Sequence, residues 1–202
     1  AREQGAKVIS ICNTHGSTLP RESDAALYTH AGPEIAVAST KAFLAQITAA
    51  YLLGLYLAQL RGNKYKDEIS AILGELQKMP AKIQKVIDND TLVKELGAEM
   101  KDTSSVIFLG RHVGFPVALE GALKLKEISY IHAEGFAAGE LKHGPIALIE
   151  EGQPVIIIVP SAQGRESLHG KVVSNIQEVR ARGAFTIVIA EEGDEAVKDY
   201  AD

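Results

Sequence analysis

Short apolar runs alternate along the chain with longer segments in which apolar residues recur at helical spacing. The short runs are rich in Val and Ile and end at turn residues, which is typical of strands buried on both faces of a parallel sheet. The predicted strands are 7–12, 25–28, 105–109, 155–159 and 186–190. The predicted helices are 39–61, 67–78, 80–88, 91–101, 116–130 and 166–182. This alternation indicates an α/β fold.

Two segments of the chain resemble each other. Residues 2–11 and 180–189 share Arg, Gly, Ala and two Ile at the same spacing, and each predicts a helix end, a Gly-Ala turn and a strand. One αβ unit would then be used twice, as in a duplicated α/β domain. Since residue 1 would lie inside a helix end, we expect the chain to begin within its first domain. The charged, strand-free block 62–102 is predicted to connect two sheets.

The segment 42–60 carries no charge and has nearly the length of a membrane span. Polar residues interrupt it, and Lys41 and Arg61 flank its two ends without the charge asymmetry that sets membrane topology. We therefore interpret the segment as a central core helix.

The composition of the 202 residues, 46% hydrophobic and 23% charged, is ordinary for a globular protein. A formal net charge of -5 argues against a general nucleic-acid or anionic-membrane surface, although it permits a local basic pocket for a small anionic ligand. Cys12 is the only cysteine, which excludes an internal disulfide and favours a reducing compartment such as the cytoplasm. Cys12 and His15 form a lone CxxH, far short of a zinc site, and we expect neither a metal nor a cofactor.

Three charged residues, Glu120, Lys124 and Glu127, share a stripe about 60° wide on the predicted helix 116–130. Apolar residues cover most of the remaining circumference, which predicts a buried helix whose charged stripe faces a cleft or an interface. The alternative is an ion pair that only supports a solvated helix face and contributes about 0.2–0.5 kcal/mol.

Other candidate groups lie in turns and at helix starts. His143 stands in the turn-rich loop GELKHGP, and its imidazole can exchange protons near neutral pH, which makes it a candidate general acid or base. Ser39 and Thr40 open the long apolar helix, where they either cap it or bind a hydroxylated or anionic ligand. The turns 110–114 and 159–164 follow predicted strands, a usual place for ligands in open α/β sheets. The alternative is that their glycines only allow the turns, and the pattern is weak as a phosphate-binding motif.

Three sequence blocks resemble the isomerase region of the glutamine:fructose-6-phosphate aminotransferase family. They are AGPEIAVASTKAF at 31–43, EGALKLKE at 120–127 and AGELKHGP at 138–145, and the similarity runs through essentially the whole chain. The resemblance implies an α/β fold of two flavodoxin-like, three-layer αβα sugar-isomerase subdomains with parallel sheets, both incomplete here. Residues 1–61 would be the C-terminal part of the first subdomain, 62–102 a helical connection, and 103–202 the N-terminal part of the second.

The resemblance also implies a reaction, in which fructose 6-phosphate is opened, aminated at C2 with glutamine-derived ammonia and isomerised to glucosamine 6-phosphate. Glu127 would be the base that moves a proton between C1 and C2. His143 would assist ring opening, from the neighbouring subunit of a homodimer. Val37, Ser39 and Lys124 would line the sugar site, with Thr40 as a further binding candidate and Glu120 orienting Lys124.

The family's glutaminase domain, its phosphate-binding loops and its Schiff-base lysine are not found in these 202 residues, so we expect the chain to be inactive alone. Two alternatives stay open. One is a phosphosugar isomerase of the same fold that does not aminate its substrate. The other is a sugar-phosphate-sensing regulator, which would not need a buried Glu127.

Overall fold

The computed structural model describes residues 2–202, and these form two units, the first ending at Lys94 and the second beginning at Glu95. Both units contain parallel sheets, in agreement with the α/β fold predicted from the alternating pattern.

The sheet of the first unit has two strands. Strand β1 (Ile9–Cys12) pairs in parallel with β2 (Ala25–Tyr28), so that Ile9 lies opposite Ala25. The helices that belong to this unit or begin in it are α1 (Thr18–Glu22), α2 (Lys41–Leu60), α3 (Lys66–Leu76), α4 (Met79–Asp88) and α5 (Thr91–Glu99). The sequence predicted all of these elements except the short α1.

Helix α2 differs from the prediction of a central core helix. Only Ala42, Ala49 and Leu55 are buried, and most of its large apolar side chains are exposed. Among the residues described, α2 alone has the length and apolarity to cross a membrane, a criterion that core helices also meet. The prediction of burial was wrong because an apolar pattern shows which side chains would gain from burial, not whether a partner covers them.

The second unit is built on a four-stranded parallel sheet with the order β4-β3-β5-β6. Its strands are β3 (Ser105–Gly110), β4 (His132–Ala137), β5 (Pro154–Ile158) and β6 (Phe185–Ile189). Helix α6 (Gly114–Ser129) connects β3 to β4, α7 (Glu166–Arg180) connects β5 to β6, and the short α8 (Glu195–Lys198) follows β6. Two 3-10 segments, Ala138–His143 and Pro145–Leu148, lie between β4 and β5.

Successive residues of β3 enter different cores, as the period of two requires. Ile107 and Leu109 pack in the cluster that contains the buried face of α7, whereas Val106 and Phe108 pack in the cluster that contains the buried face of α6. The sheet therefore lies between helices, which explains why its inner strands are apolar on both faces.

Strand β4 was not predicted from the sequence, because its residues, HAEGFA, have little of the Val and Ile enrichment that marks the other strands. It lies at the edge of the sheet, where His132 and Glu134 are exposed. A Cβ on Gly135 would come within 3.0 Å of the Leu119 backbone, so glycine allows α6 to pack closely over this strand.

The two similar segments of the sequence adopt similar turns. The N–H of Gly5 donates to the carbonyl of Arg2 over 2.8 Å, and that of Gly183 donates to the carbonyl of Arg180 over 2.9 Å. Both glycines have positive φ, 79° and 84°, which favours glycine over other residues. The repeated Arg-x-x-Gly-Ala pattern therefore corresponds to one repeated turn geometry.

Candidate active site

The start of α6 is set by a close approach of backbone to backbone. A Cβ on Gly110, the last residue of β3, would overlap the carbonyl of Gly114 and lie 2.8 Å from the amide nitrogen of Phe115. Further along, a Cβ on Gly121 would lie 2.8 Å from the Phe108 ring. The two glycines thus let α6 lie directly against the sheet, which fixes the direction of its other faces.

Helix α6 is buried on one face only. Ala118 and Ala122 are fully covered by the sheet, whereas Leu119, Leu123 and Ile128 are exposed. The prediction of a buried helix was therefore wrong, because apolar side chains beside the charged stripe are exposed. As in α2, the apolar pattern did not report which side chains have a partner.

The charged stripe lies on a partly shielded face of α6. The side chains of Glu120, Lys124 and Glu127 are 24%, 22% and 30% exposed. The Nζ of Lys124 donates to Oε2 of Glu127 over 2.6 Å and lies 3.4 Å from Oε1 of Glu120. The lysine therefore joins the two carboxylates, as the shared stripe predicted.

These contacts keep Lys124 charged. The hydrogen bond to Glu127 is the largest of the causes that raise the pKa of Lys124, followed among the raising effects by the contact with Glu120, and together they outweigh the opposing effect of desolvation. A lysine with a raised pKa is a cation at neutral pH and cannot act as an amine base there. It can bind an anionic or hydroxylated ligand and hold the Glu127 carboxylate in place.

His143 ends the 3-10 segment Ala138–His143, which Ala138 and Leu141 anchor in the core. Its own side chain is exposed, and Gly144 follows with a φ of 150°. Within residues 2–202, no hydrogen bond or ion pair joins His143 to the charged stripe. Within one chain, His143 therefore does not contact Glu127.

A polar network that the sequence analysis missed supports the same 3-10 segment. Nε of Arg111 donates to Oδ1 of Asn175 over 2.9 Å, and Nδ2 of Asn175 donates to Glu178 over 3.2 Å. Glu178 in turn pairs with Lys142 at 2.9 Å, and a Cβ on Gly139 would lie 3.2 Å from the Arg111 guanidinium. Asn175 is buried on α7, and its position on that helix's apolar face was the signal that could have revealed the network.

The candidate sugar-binding residues of the first unit lie directly before the start of α2. Val37 is 89% exposed, Ser39 is half-buried, and Thr40 is the N-terminal cap residue of the helix. Neither capping by Ser39 or Thr40 nor ligand binding describes this helix start fully. The cap is supplied by another residue, Glu34, which the sequence analysis did not identify. Glu34 accepts hydrogen bonds from the amide and the hydroxyl of Thr40 over 3.2 and 3.3 Å, and from the amide of Ala42 over 3.0 Å.

The helix cap makes Glu34 a pH-dependent contributor to stability. The hydrogen bond from the Ala42 amide is the largest cause that lowers the pKa of Glu34 below its ordinary value of 4.5. A carboxyl whose pKa is lower in the folded state stabilises the fold above pH 4.5, and this contribution is lost as pH falls through the folded pKa. Glu34→Gln should therefore lower the unfolding temperature at pH 7, and the difference from wild type should shrink in acid.

Circular dichroism on heating, at neutral pH and below the folded pKa, measures this difference. Glu22→Gln removes an exposed carboxylate from the same unit and should have little effect at either pH. An equal loss for Glu34→Gln at both pH values would contradict the charged cap.

The SIS domain model matches residues 1–56 and 99–202, which is most of the chain. The chain belongs to the SIS domain family. Both the segment that carries Val37, Ser39 and Thr40 and the segment that carries the charged stripe lie within the matched residues of this SIS domain.

The similarity to curated relatives covers the whole of this chain. It is 79% identical over 201 residues to glutamine-fructose-6-phosphate aminotransferase (isomerizing) of Corynebacterium glutamicum, a match that covers 100% of this chain and 32% of the relative. It is 66% identical over 202 residues to the enzyme of the same name from Streptomyces coelicolor, covering 100% of this chain and 33% of the relative. The chain thus spans about a third of the length of these relatives.

Among solved structures, the SIS domain chain resembles the C-terminal domain of glucosamine-fructose-6-phosphate aminotransferase from Francisella tularensis. The TM-score is 0.87 at 43% sequence identity, over 96% of this chain and 53% of the other. The similarity supports the parallel α/β architecture and the family resemblance identified from the three sequence blocks.

Proposed function

We propose that this chain is the isomerase portion of an enzyme that makes glucosamine 6-phosphate from fructose 6-phosphate and glutamine-derived ammonia. The observation that carries the proposal is the Glu127 carboxylate, which Lys124 holds on the shielded face of α6. The 79% identity to an aminotransferase named for the same reaction supports the choice of substrate.

The proposed chemistry is proton transfer next to a carbon-nitrogen double bond. After ammonia adds to C2 of the open-chain sugar and water leaves, C2 carries an imine. Glu127 then removes a proton from C1 while the imine nitrogen takes up a proton, which gives an enolamine. A proton returns to C2 while the C1 hydroxyl gives up its proton, so that C1 becomes the aldehyde and C2 carries the amine. Lys124 remains protonated, holds Glu127 in place and binds a sugar oxygen, while Glu120 orients Lys124. These steps are acid-base catalysis by side chains and require no cofactor.

His143 would protonate the ring oxygen when the sugar opens. Its exposed position without contact to the stripe supports the proposal that it serves the site of a second subunit, in a homodimer. Val37, Ser39 and Thr40 would line the sugar site, although Thr40 also contacts Glu34. We place the enzyme in the cytoplasm, where a lone cysteine such as Cys12 stays reduced.

The proposal is tested with the full-length product of the gene that encodes this chain. Incubation with fructose 6-phosphate and glutamine should yield glucosamine 6-phosphate, detected by mass spectrometry, and omission of glutamine should abolish the product. Formation of an aldose phosphate without glutamine would instead establish the phosphosugar isomerase. Binding of fructose 6-phosphate without turnover under both conditions would establish the regulator.

A second arm of the same experiment tests the 202 residues alone with fructose 6-phosphate and ammonium. We expect no glucosamine 6-phosphate, because we expect the phosphate-binding loops and the Schiff-base lysine that the family uses to lie outside these 202 residues. Product formation would overturn the proposal that the chain is inactive alone.

A further inference from the structure

A basic cavity of about 450 Å³ lies in the second unit, away from the charged stripe. It is lined by Arg111, His112, Arg165, Ser167, Leu168 and Lys171, and we call it the switch-point cavity. None of the stripe residues lines it, and Glu120 lies six residues after the start of α6, about 9 Å along the helix axis.

The position of the cavity follows from the order of the strands. Strand β3 leads through α6 to β4 on one side of the sheet, whereas its neighbour β5 leads through α7 to β6 on the other side. The chain thus leaves β3 and β5 in opposite directions, and in open α/β sheets the crevice at such a point is the usual ligand site. Arg111 and His112 follow β3, and the remaining lining residues follow β5.

The charge of the cavity is unlike that of the chain, whose formal net charge is -5. Three lining residues are cationic, and in residues 2–202 no ion pair joins Arg111, Arg165 or Lys171 to a carboxylate. Arg111 donates its Nε proton to the neutral amide of Asn175, which fixes the guanidinium without neutralising it. Glu166 is the acidic residue in the first turn of α7, but it does not line the cavity.

The backbone adds donors at the same place. Arg165 is the cap residue of α7, a helix of 15 residues, and its side chain makes no capping hydrogen bond. In the described part of the chain, the amides of Glu166 and Ser167 have no acceptor, whereas those of Leu168 and His169 bind the Arg165 carbonyl. Unpaired amides at a helix start favour anions, and here they accompany a cationic cavity.

We infer that the switch-point cavity is an anion site that binds a phosphorylated small molecule. The arginine fork matches phosphate oxygens, and three cations favour a dianion over a singly charged carboxylate. Leu168 is the one apolar residue of the lining, which favours a strongly polar ligand, and the volume lies in the range of small-molecule sites. The inference rests on these residues and is independent of the proposed reaction.

Titration calorimetry of the 202-residue chain with inorganic phosphate, pyrophosphate and fructose 6-phosphate tests the site. The double variant Arg165→Ala/Lys171→Ala removes two exposed cations of the cavity and should weaken phosphate binding by about tenfold or more. Lys101→Ala/Lys198→Ala removes the same charge from exposed positions of the same unit and should change binding by less than about twofold.

The outcomes separate the possible sources of binding. Equal weakening by both double variants would mean diffuse attraction to surface charge and would overturn the site. So would the absence of binding by phosphate, pyrophosphate and fructose 6-phosphate alike at about 10 mM ligand. If only fructose 6-phosphate binds, and the cavity variant binds it as well as wild type does, the ligand occupies another site and the inference fails. The result does not depend on catalysis, so a failure here leaves the proposed function standing.

Discussion

Replacing Glu127, the proposed base, with glutamine in the proposed full-length synthase should lower kcat for glucosamine 6-phosphate formation by about 10²–10⁴-fold, the usual contribution of a general base. Glutamine keeps the size of the side chain and can still accept a hydrogen bond from Lys124, which donates to Glu127 over 2.6 Å in the wild type. It cannot accept a proton from C1. The loss should therefore fall on kcat with little change in KM.

Two comparisons make this result specific to the base. Glu120→Gln also removes a carboxylate near Lys124, but the longer distance of 3.4 Å and its proposed orienting role predict a smaller loss. Glu195→Gln removes an exposed carboxylate at the start of α8 and should leave kcat unchanged. Synthesis by Glu127→Gln near the wild-type rate would exclude Glu127 as the base.

The stripe shows how far the sequence could predict a site. Helical spacing was enough to place Lys124 between Glu120 and Glu127, because neighbours three and four residues apart on a helix must face each other. It did not predict the exposure of Leu123 or Ile128, since burial depends on partners that the helix's own sequence does not name. The polar contact of Arg111 with Asn175 joins residues 64 positions apart, a distance that no local pattern spans.

The fold likewise contains elements that the sequence predicted and elements that it did not. Strands β3 and β5 were predictable because burial on both faces demands runs of Val and Ile, and the edge strand β6 carries such a run as well. The other edge strand, β4, lacks such a run and exposes His132 and Glu134, so it was missed. The cap of α2 was missed for a related reason, because Glu34 reaches the helix start from six residues before Thr40, outside the local capping pattern.

Gly110→Ala should strongly destabilise the second unit, lowering the free energy of unfolding by about 3 kcal/mol. The sequence left open whether the glycines of the turn 110–114 help to bind a ligand or only allow the chain to turn. The new Cβ would overlap the Gly114 carbonyl, and because the obstructing atoms belong to the backbone, neither side can move by rotating a side chain. Urea denaturation followed by circular dichroism measures the loss.

Gly170→Ala in α7 is the matched control for Gly110→Ala. A Cβ there would meet nothing within 4 Å, so alanine should stabilise the helix by about 0.5–1 kcal/mol. If Gly110→Ala were as stable as this control, the close approach of β3 and α6 would be wrong.

If Gly110→Ala is destabilised as expected, hydrogen exchange should increase at the start of α6, and phosphate binding and synthesis should both weaken. That joint effect follows because the turn after Gly110 carries Arg111 and His112 into the switch-point cavity and sets the direction of the helix that presents Glu127.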